Sequence, residues 1–330
     1  MMRGVEMPIK LEYEKMKTRR IEMDMTQKEL SELSGVNINV IKSIETGRTM
    51  TEKENIQKIA DVIGFKVEEI YKEDFRDTKV ISIVNNKGGC GKTSISGSLG
   101  YTMAELGNKI LLIDADAQRN LSSSFGLNKQ ENHFGKAIVK EESLLNNYII
   151  RTQYPNIDFI VADVSMGTLD MLMFTKMHRE NIVKQILTPI VQAGLYDYII
   201  IDTNPNLSIL NFNVVNASDY VLIPVQLASF DLEGIGTLVD FIKGIQKFNT
   251  KLDILGIVIN KYDIRNKNIT SQAEEQLRTA YNDLILKTII KIDVKIQNAQ
   301  WENKPVMVFD TNSRISKEYR ELAKEVIKRC

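Results

Sequence analysis

Cysteine is nearly missing from the chain, with two in 330 residues, Cys90 and Cys330. They form neither a C-x-x-C pair nor a disulfide framework, which fits a reducing cytoplasm. The two histidines, His133 and His178, lack metal-ligand spacing and read as surface or packing residues. No apolar run reaches about 18 residues, so no transmembrane helix is expected. The N-terminus has no apolar stretch ahead of a small-residue cleavage site, so no secretory signal is expected either. It opens Met1-Met2, with Met7 as an alternative start. An excess of charge is absent too: 43 Lys+Arg face 43 Asp+Glu. The molecule as a whole is not a polycation, and any nucleic-acid contact must use local patches. Internal repeats and low-complexity tracts are absent.

Present is an ordinary globular composition, 43% hydrophobic and 26% charged, in a chain long enough for two or three domains of roughly 100–200 residues each. Its character changes near residue 78. Residues 1–76 read as short helices over 11–23, 26–33, 37–45, 52–63 and 68–71, with no strand pattern. From Lys79 onward, apolar β-branched runs alternate with longer helical stretches such as 93–106, 231–248 and 269–281. The runs are VISIV, ILLID, IDFIVA, YIIID, YVLIPV, ILGIVIN and ILKTIIKI. Runs without strict alternation suit strands buried on both faces of a parallel sheet. The expectation is a small all-α domain over residues 1–72, a polar linker over 73–78 (from the connector IYKEDFRDT), and a doubly wound, mostly parallel α/β domain over 79–330.

Residues 26–45, TQKELSELSGVNINVIKSIE, combine an apolar-spaced helix, a glycine turn, a polar cap and a second helix. That is a helix-turn-helix, in which Leu30, Leu33, Val36, Ile41 and Ile44 pack the pair and Asn37 caps the second helix. Ile38, Asn39, Lys42 and Ser43 are left near the start of that helix, where this motif meets base edges. Asn reads adenine and Lys reads guanine. The stretch over about 10–66 resembles the Cro/C1-type repressor domain through T-Q-x-E-L…S-G-V…I…I-E-x-G-R, ending at Gly47-Arg48. The resemblance implies operator binding and adds Gln27 and Arg48 to the candidate DNA contacts; a helical bundle for protein contacts is the other reading. Residues 1–78 hold 14 Lys+Arg against 16 Asp+Glu, so charge does not decide. The cluster Lys15, Lys17, Arg19 and Arg20 faces either phosphates or solvent.

VISIVNNKGGCGKTSISGSLGYTM places a glycine-rich loop between a strand and a helix, the context of a phosphate-binding loop. Gly88, Gly89 and Gly91 let the backbone approach phosphate oxygens, and N–H groups over 88–94, including those of Cys90 and Ser94, form an anion nest at a helix N-terminus. Lys92 bridges the terminal phosphates and Thr93 offers its hydroxyl to Mg²⁺. Cys90 is filler, contributing its backbone N–H. The loop departs from G-x-x-x-x-G-K-[ST] in having Asn86 at the first glycine, followed by a second lysine, Lys87.

With that lysine the loop resembles the deviant K-G-G-x-G-K-[ST] loop of the ParA/Soj/MinD ATPases. The likeness extends through ILLIDADAQRNLSSSFG (110–126), YDYIIIDTNPNLSILNFNVVNASDYVLIPVQ (196–226), FDLEGIGTLVDFI (230–242) and KPVMVFDTNSRISKEYRELAKEV (304–326). It covers most of residues 79–327. It implies ATP/ADP and Mg²⁺ as cofactors, a homodimer bridged by ATP, and Lys87 reaching the partner's phosphates. It also implies Asp116 orienting the attacking water, with Asp114 and Asp202 supporting Mg²⁺. Asn260, Pro224, Pro305 and Val306 match positions near the adenine. Ala117 and Asn204 stand where prolines are usual, an expected source of loop flexibility. Asp163, Asp263 and Asp310 read as turn or cap residues. Trp301, Met166, Met171, Met173 and Met177 read as packing residues.

The closing segment SRISKEYRELAKEVIKRC reads as a folded helix, not the amphipathic membrane helix of the MinD branch. Its basic excess, with Arg314 and Lys317 at its start, suits either DNA phosphates or solvent. Cys90 and Cys330 do not supply the cluster ligands of a nitrogenase-iron-protein-like chain. The resemblance therefore implies a ParA-type partition ATPase, cytoplasmic and nucleoid-associated, with no membrane partner. It implies slow turnover stimulated by a ParB-like centromere-binding protein, non-specific DNA binding through the ATPase domain, and operator binding through the N-terminal domain. An ATP-responsive DNA-binding transcriptional regulator is the alternative.

Overall fold

The computed structural model describes residues 8–46, 53–66, 76–142, 145–229, 231–265 and 267–330. Arg48, Gly47 and the expected turn of helix at 68–71 lie outside these residues.

The N-terminal part is four helices, α1 (Pro8–Glu22), α2 (Gln27–Ser34), α3 (Ile38–Glu45) and α4 (Lys53–Ile63). Local signals fix the helix ends. Thr26 and Glu29 form a reciprocal capping box at the start of α2, and Gly35 ends it in the left-handed region at φ 69°. Asn37 Oδ1 then accepts the Asn39 N–H at 2.8 Å and starts α3. Met16, Leu30, Val36, Ile41, Ile44, Ile56, Ile59 and Ile63 close the core. Leu33 does not join it and is 64% exposed. Leu30 and Ser34, four apart, take the inner face of α2, and the Ser34 hydroxyl is satisfied by the Leu30 carbonyl at 2.5 Å.

The α/β part is a seven-stranded sheet in the order β3-β4-β2-β5-β1-β6-β7. The strands are β1 (Lys79–Ile83), β2 (Ile110–Ala115), β3 (Ile150–Arg151), β4 (Ile157–Ile160), β5 (Tyr198–Thr203), β6 (Tyr220–Gln226) and β7 (Asp253–Asn260). All pairings are parallel except β3 with β4. Helices cover both faces. Ile95, Leu99 and Met103 of α5 (Lys92–Glu105) pack with Tyr319, Leu322 and Val326 of α15 (Arg314–Arg329) on one side. Phe134, Ile186 and Val214 belong to the layer on the other, built from α7 (Phe134–Lys140), α9 (Ile182–Gln192) and α10 (Ile209–Asn216). This is the doubly wound sheet that the alternating runs predict.

One run departs from expectation. ILKTIIKI is not a ladder strand; it touches β7 and its extension through two isolated bridges, Ile257 with Ile285 and Tyr262 with Lys291. The Leu286 and Ile290 N–H groups donate to Ile257 and Ile259, so four residues advance against two. The intervening donors of Lys287 and Thr288 go to the Glu325 carboxylate, and that of Lys291 to Glu318. Carboxylates of α15 thus take the bonds a regular ladder would use.

The end of the expected linker is built into the α/β part. The Arg76 N–H donates to Gly194 at 3.1 Å, Arg76 pairs with Asp197, and the Thr78 hydroxyl donates to Tyr196 at 2.6 Å. These contacts gather at the N-terminal ends of β1 and β5.

Candidate nucleotide site

β1 lies at the centre of the sheet, and the chain leaves it at the C-terminal edge, where β2 and β5 also end. An open parallel sheet binds ligands at that edge. Residues 84–91 loop over it and feed α5. Two loop residues, Gly89 (φ 77°) and Gly91 (φ 94°), lie in the left-handed region, and a Cβ at Gly91 would meet Asn260 Nδ2 at 2.1 Å. The Asn85 side chain braces the loop, accepting the Lys87 N–H at 2.9 Å and donating to the Pro224 carbonyl at 2.7 Å.

The two loop lysines part company. Lys92 is 7% exposed and its Nζ folds back to the Lys87 carbonyl at 3.2 Å. The Lys87 side chain is exposed at the loop tip. Cys90 is buried and burial pushes its thiol pKa up, against a redox role.

Across the loop stand the acids. Asp202, at the end of β5, is fully buried. Its Oδ1 lies 2.9 Å from the Ser96 hydroxyl, the Thr93 side chain helps hold its pKa down, and its Oδ2 is buried with no hydrogen-bond partner. That orphaned oxygen beside Thr93 and Ser96 fits a site for a phosphate-bound cation. Among the described residues no group of three or more His, Cys, Asp or Glu could hold a metal alone.

Asp114, at the end of β2, has a different surrounding. Its Oδ1 accepts the Asp116 N–H at 3.1 Å, and its Oδ2 accepts the Ser122 N–H at 2.8 Å and hydroxyl at 2.7 Å. Burial outweighs these bonds and raises its pKa to about 6. The carboxylate thus organises the loop that carries Asp116. Asp116 is half-buried, its Oδ1 accepting the Gln118 N–H at 3.0 Å.

The four adenine candidates separate into two places. Pro305 and Val306 line a cleft with Thr93 and Ser94. Pro224 is buried within β6, opposite Val258 of β7 and past the last pairing with β1, so its missing N–H costs no ladder bond there. Asn260 is 1% exposed, with its Nδ2 on the Cys90 carbonyl at 2.8 Å. Both sit beneath the loop as supports.

Further expectations change in detail. Asn204 forms a compact turn: its Oδ1 accepts the Asn206 N–H at 3.0 Å, and Asn211 Nδ2 donates to its carbonyl at 2.9 Å. A hydrogen-bonded turn thus occupies the place of the usual proline. Trp301 is 89% and Met177 83% exposed, and Met171 is exposed as well, so these three do not pack; Met166 and Met173 do. Sequence reasoning missed Ser96, Asn211 and Lys261. Ser96 lies one turn after Lys92 and carried no signal beyond that spacing.

In the N-terminal part, Asn39 and Lys42 are exposed on α3, with Ile38 and Ser43 half-buried beside them. Gln27 is committed inward, its Nε2 donating to Glu45 Oε2 at 2.8 Å. Arg20 is buried against the same carboxylate at 2.6 and 2.9 Å, which removes it from the phosphate-facing cluster. On α15, Arg314 donates to the Ile292 carbonyl and Asp293, Arg320 pairs with Glu105, and Arg329 donates to the Leu255 and Ile285 carbonyls. Lys317 is exposed. Much of the helix's basic excess is therefore spent inside the fold. Among the described residues no helix is long and apolar enough to cross a membrane.

A parallel sheet with a glycine loop, a buried lysine and a buried strand-end aspartate at one edge defines a P-loop nucleotide-binding protein. Comparison with known proteins narrows the class. A family model described as an AAA domain matches residues 78–254, and one described as helix-turn-helix matches residues 16–70. The sporulation initiation inhibitor protein Soj of Bacillus subtilis is 35% identical over 250 residues, 75% of this chain and 98% of that protein. The chromosome partitioning protein ParA of Caulobacter vibrioides is 32% identical over 253 residues, 76% of this chain and 94% of that protein. A plasmid partition protein of Borrelia burgdorferi, solved bound to AMPPNP, superposes with a TM-score of 0.64 at 28% identity, over 77% of this chain and all of that one. Cobyrinic acid a,c-diamide synthase of Mycobacterium smegmatis, solved with ADP and magnesium, shares the fold with a TM-score of 0.65 at 24% identity, over 76% of this chain and 94% of that one. The chain belongs to the ParA/Soj family, with a helix-turn-helix domain ahead of its P-loop domain.

Proposed function

We propose that the protein is a DNA-partition ATPase that works as an ATP-bridged homodimer. The observation that carries this reading is the divergence of the two loop lysines, Lys92 buried over its own loop and Lys87 exposed at the tip. A lysine exposed at the tip of a phosphate loop is within reach of a nucleotide held by a second subunit.

In this reading the N–H groups over 88–94 and Lys92 bind the phosphates, while Thr93 and Asp202 hold the cation. Mg²⁺ supplies neutralisation of the β- and γ-phosphate charge. Asp116 orients the attacking water, and Asp114 holds the Asp116 loop. Pro305 and Val306 border the base. Phosphoryl transfer in such a site rests on positioning and charge neutralisation. Charge supplied by the partner's Lys87 couples hydrolysis to dimerisation. A ParB-like centromere-binding protein stimulates turnover and DNA carries the dimer, with Lys317 among its phosphate contacts. The protein then acts on the nucleoid in the cytoplasm. The N-terminal domain, over 1–72, reads an operator through Asn37, Ile38, Asn39, Lys42 and Ser43, with Arg48 flanking, and represses its own operon.

The test is Lys87→Gln, followed by light scattering with a non-hydrolysable ATP analogue and by turnover with DNA and the partner. We expect nucleotide binding within about threefold of wild type, no dimer, and loss of stimulated turnover. Normal dimerisation and turnover would overturn the in-trans role. The intact exposed face of α3 favours a second reading, an ATP-responsive transcriptional regulator. Operator binding without partner-stimulated turnover would establish that reading instead.

A further inference from the structure

We infer that Asn260 and Lys261, at the end of β7, form a clamp that sets the phosphate-binding amides of the loop. Asn260 Nδ2 donates to the Cys90 carbonyl at 2.8 Å, and Lys261 Nζ donates to the Gly89 carbonyl at 2.7 Å. Two neighbouring residues thus hold two consecutive loop carbonyls.

In a trans peptide the carbonyl and the following N–H point in opposite directions. Holding the Gly89 carbonyl therefore sets the N–H of Cys90, and holding the Cys90 carbonyl sets the N–H of Gly91. Sheet order gives the direction. β7 lies on one side of β1, while β5 and β2, which carry Asp202 and Asp114, lie on the other. Carbonyls drawn toward β7 leave their N–H groups turned toward the side of Asp202. Without such a hold, Gly88, Gly89 and Gly91 leave the loop a wide choice of conformations.

Two further details fit a clamp. Lys261 lies in the left-handed region at φ 53°, a cost accepted only where surrounding contacts demand it. Gly91 leaves room for the Asn260 amide, since a Cβ there would stand 2.1 Å from Nδ2. Lys261 is thus a positioning residue that acts through the Gly89 peptide, and its ligand class is the polyphosphate chain itself, whatever base it carries.

This inference rests on the reading of the loop as a phosphate site. The test compares wild type, Lys261→Met and Lys261→Arg by calorimetric titration with ADP, AMPPNP and inorganic tripolyphosphate, alongside melting of the ligand-free proteins. Removing a charge-assisted hydrogen bond that holds the loop should weaken Lys261→Met about tenfold toward all three ligands. Lys261→Arg should recover most of that loss, and the ligand-free melting temperature should stay near the wild-type value. Unchanged affinities in Lys261→Met would overturn the clamp. So would weakening toward ADP with tripolyphosphate unaffected, since the ammonium would then act on the nucleoside. Wild-type protein that binds none of the three would overturn the phosphate site beneath it.

Discussion

Asp202 is fully buried, and burial followed by the neighbouring Asp114 charge raises its pKa to about 8, against the lowering effect of the Thr93 and Ser96 hydrogen bonds. A carboxyl with a folded pKa above its unfolded value near 4 binds more protons when folded. It therefore stabilises the fold at low pH and loses that contribution as pH rises through about 8. The ligand-free protein should melt lower at pH 8.5 than at pH 6. Asp202→Asn should flatten that difference and melt a few degrees above wild type at pH 8.5, yet lose Mg²⁺-dependent turnover. Calorimetric scans across pH check the first outcome and phosphate release the second. An identical pH profile in the variant would remove Asp202 as the source. At this scale the sequence displayed Lys92, Thr93 and Asp202 through motif and strand context. It did not display Asn260 and Pro224 as supports, because their contacts with the Cys90 carbonyl and with Asn85 join positions more than a hundred residues apart.

Among the elements, the helix-turn-helix depends on one buried charge pair. Burial alone would raise the Glu45 pKa, but hydrogen bonds from Arg20 and Gln27 and the Arg20 charge leave it below the ordinary value. A depressed carboxylate stabilises above its unfolded pKa, and that stability is lost as pH falls through the folded one. The N-terminal domain should therefore weaken on acidification below about pH 4.5. Glu45→Ala leaves Arg20 buried and unpaired and should cost the domain about 3 kcal/mol. Circular dichroism melts of the full chain should show an earlier helical transition, with ATP turnover retained; a single unshifted transition would refute the role. The capping box, Gly35 and Asn37 made these helices legible, since each signal acts within a few residues. Leu33 and the ILKTIIKI run misled for the opposite reason. The face of α2 is chosen by α3 and α4, and the strand bonds of ILKTIIKI are taken by Glu318 and Glu325 from a helix later in the chain.

For the whole molecule, the proposed role of Asp116 in orienting water implies that its loop sets how long an ATP-bound assembly lasts. Asp116→Ala should bind ATP normally, reduce turnover about a hundredfold, and remain dimeric and DNA-bound in ATP, a state expected of wild type only with a non-hydrolysable analogue. Sedimentation with and without DNA would show it, and wild-type turnover would take Asp116 out of the chemistry. The doubly wound architecture was readable from its apolar runs because a parallel sheet buries both faces of each strand. Which helix charges face solvent was not readable, because Arg314, Arg320 and Arg329 find partners contributed by distant segments.

Arg76 and Thr78 are stitched to Asp197 and Tyr196 at the end of the sheet opposite the phosphate loop. A five-residue strand of about 17 Å separates that anchorage from the nucleotide edge. Two copies joined nucleotide edge to nucleotide edge would therefore resemble a rod with a tether at each tip. The proposed operator-reading domains would then start from anchor points at opposite ends of the pair. One assembly would then favour far-apart operator sequences, or a loop drawn between them, over two adjacent half-sites.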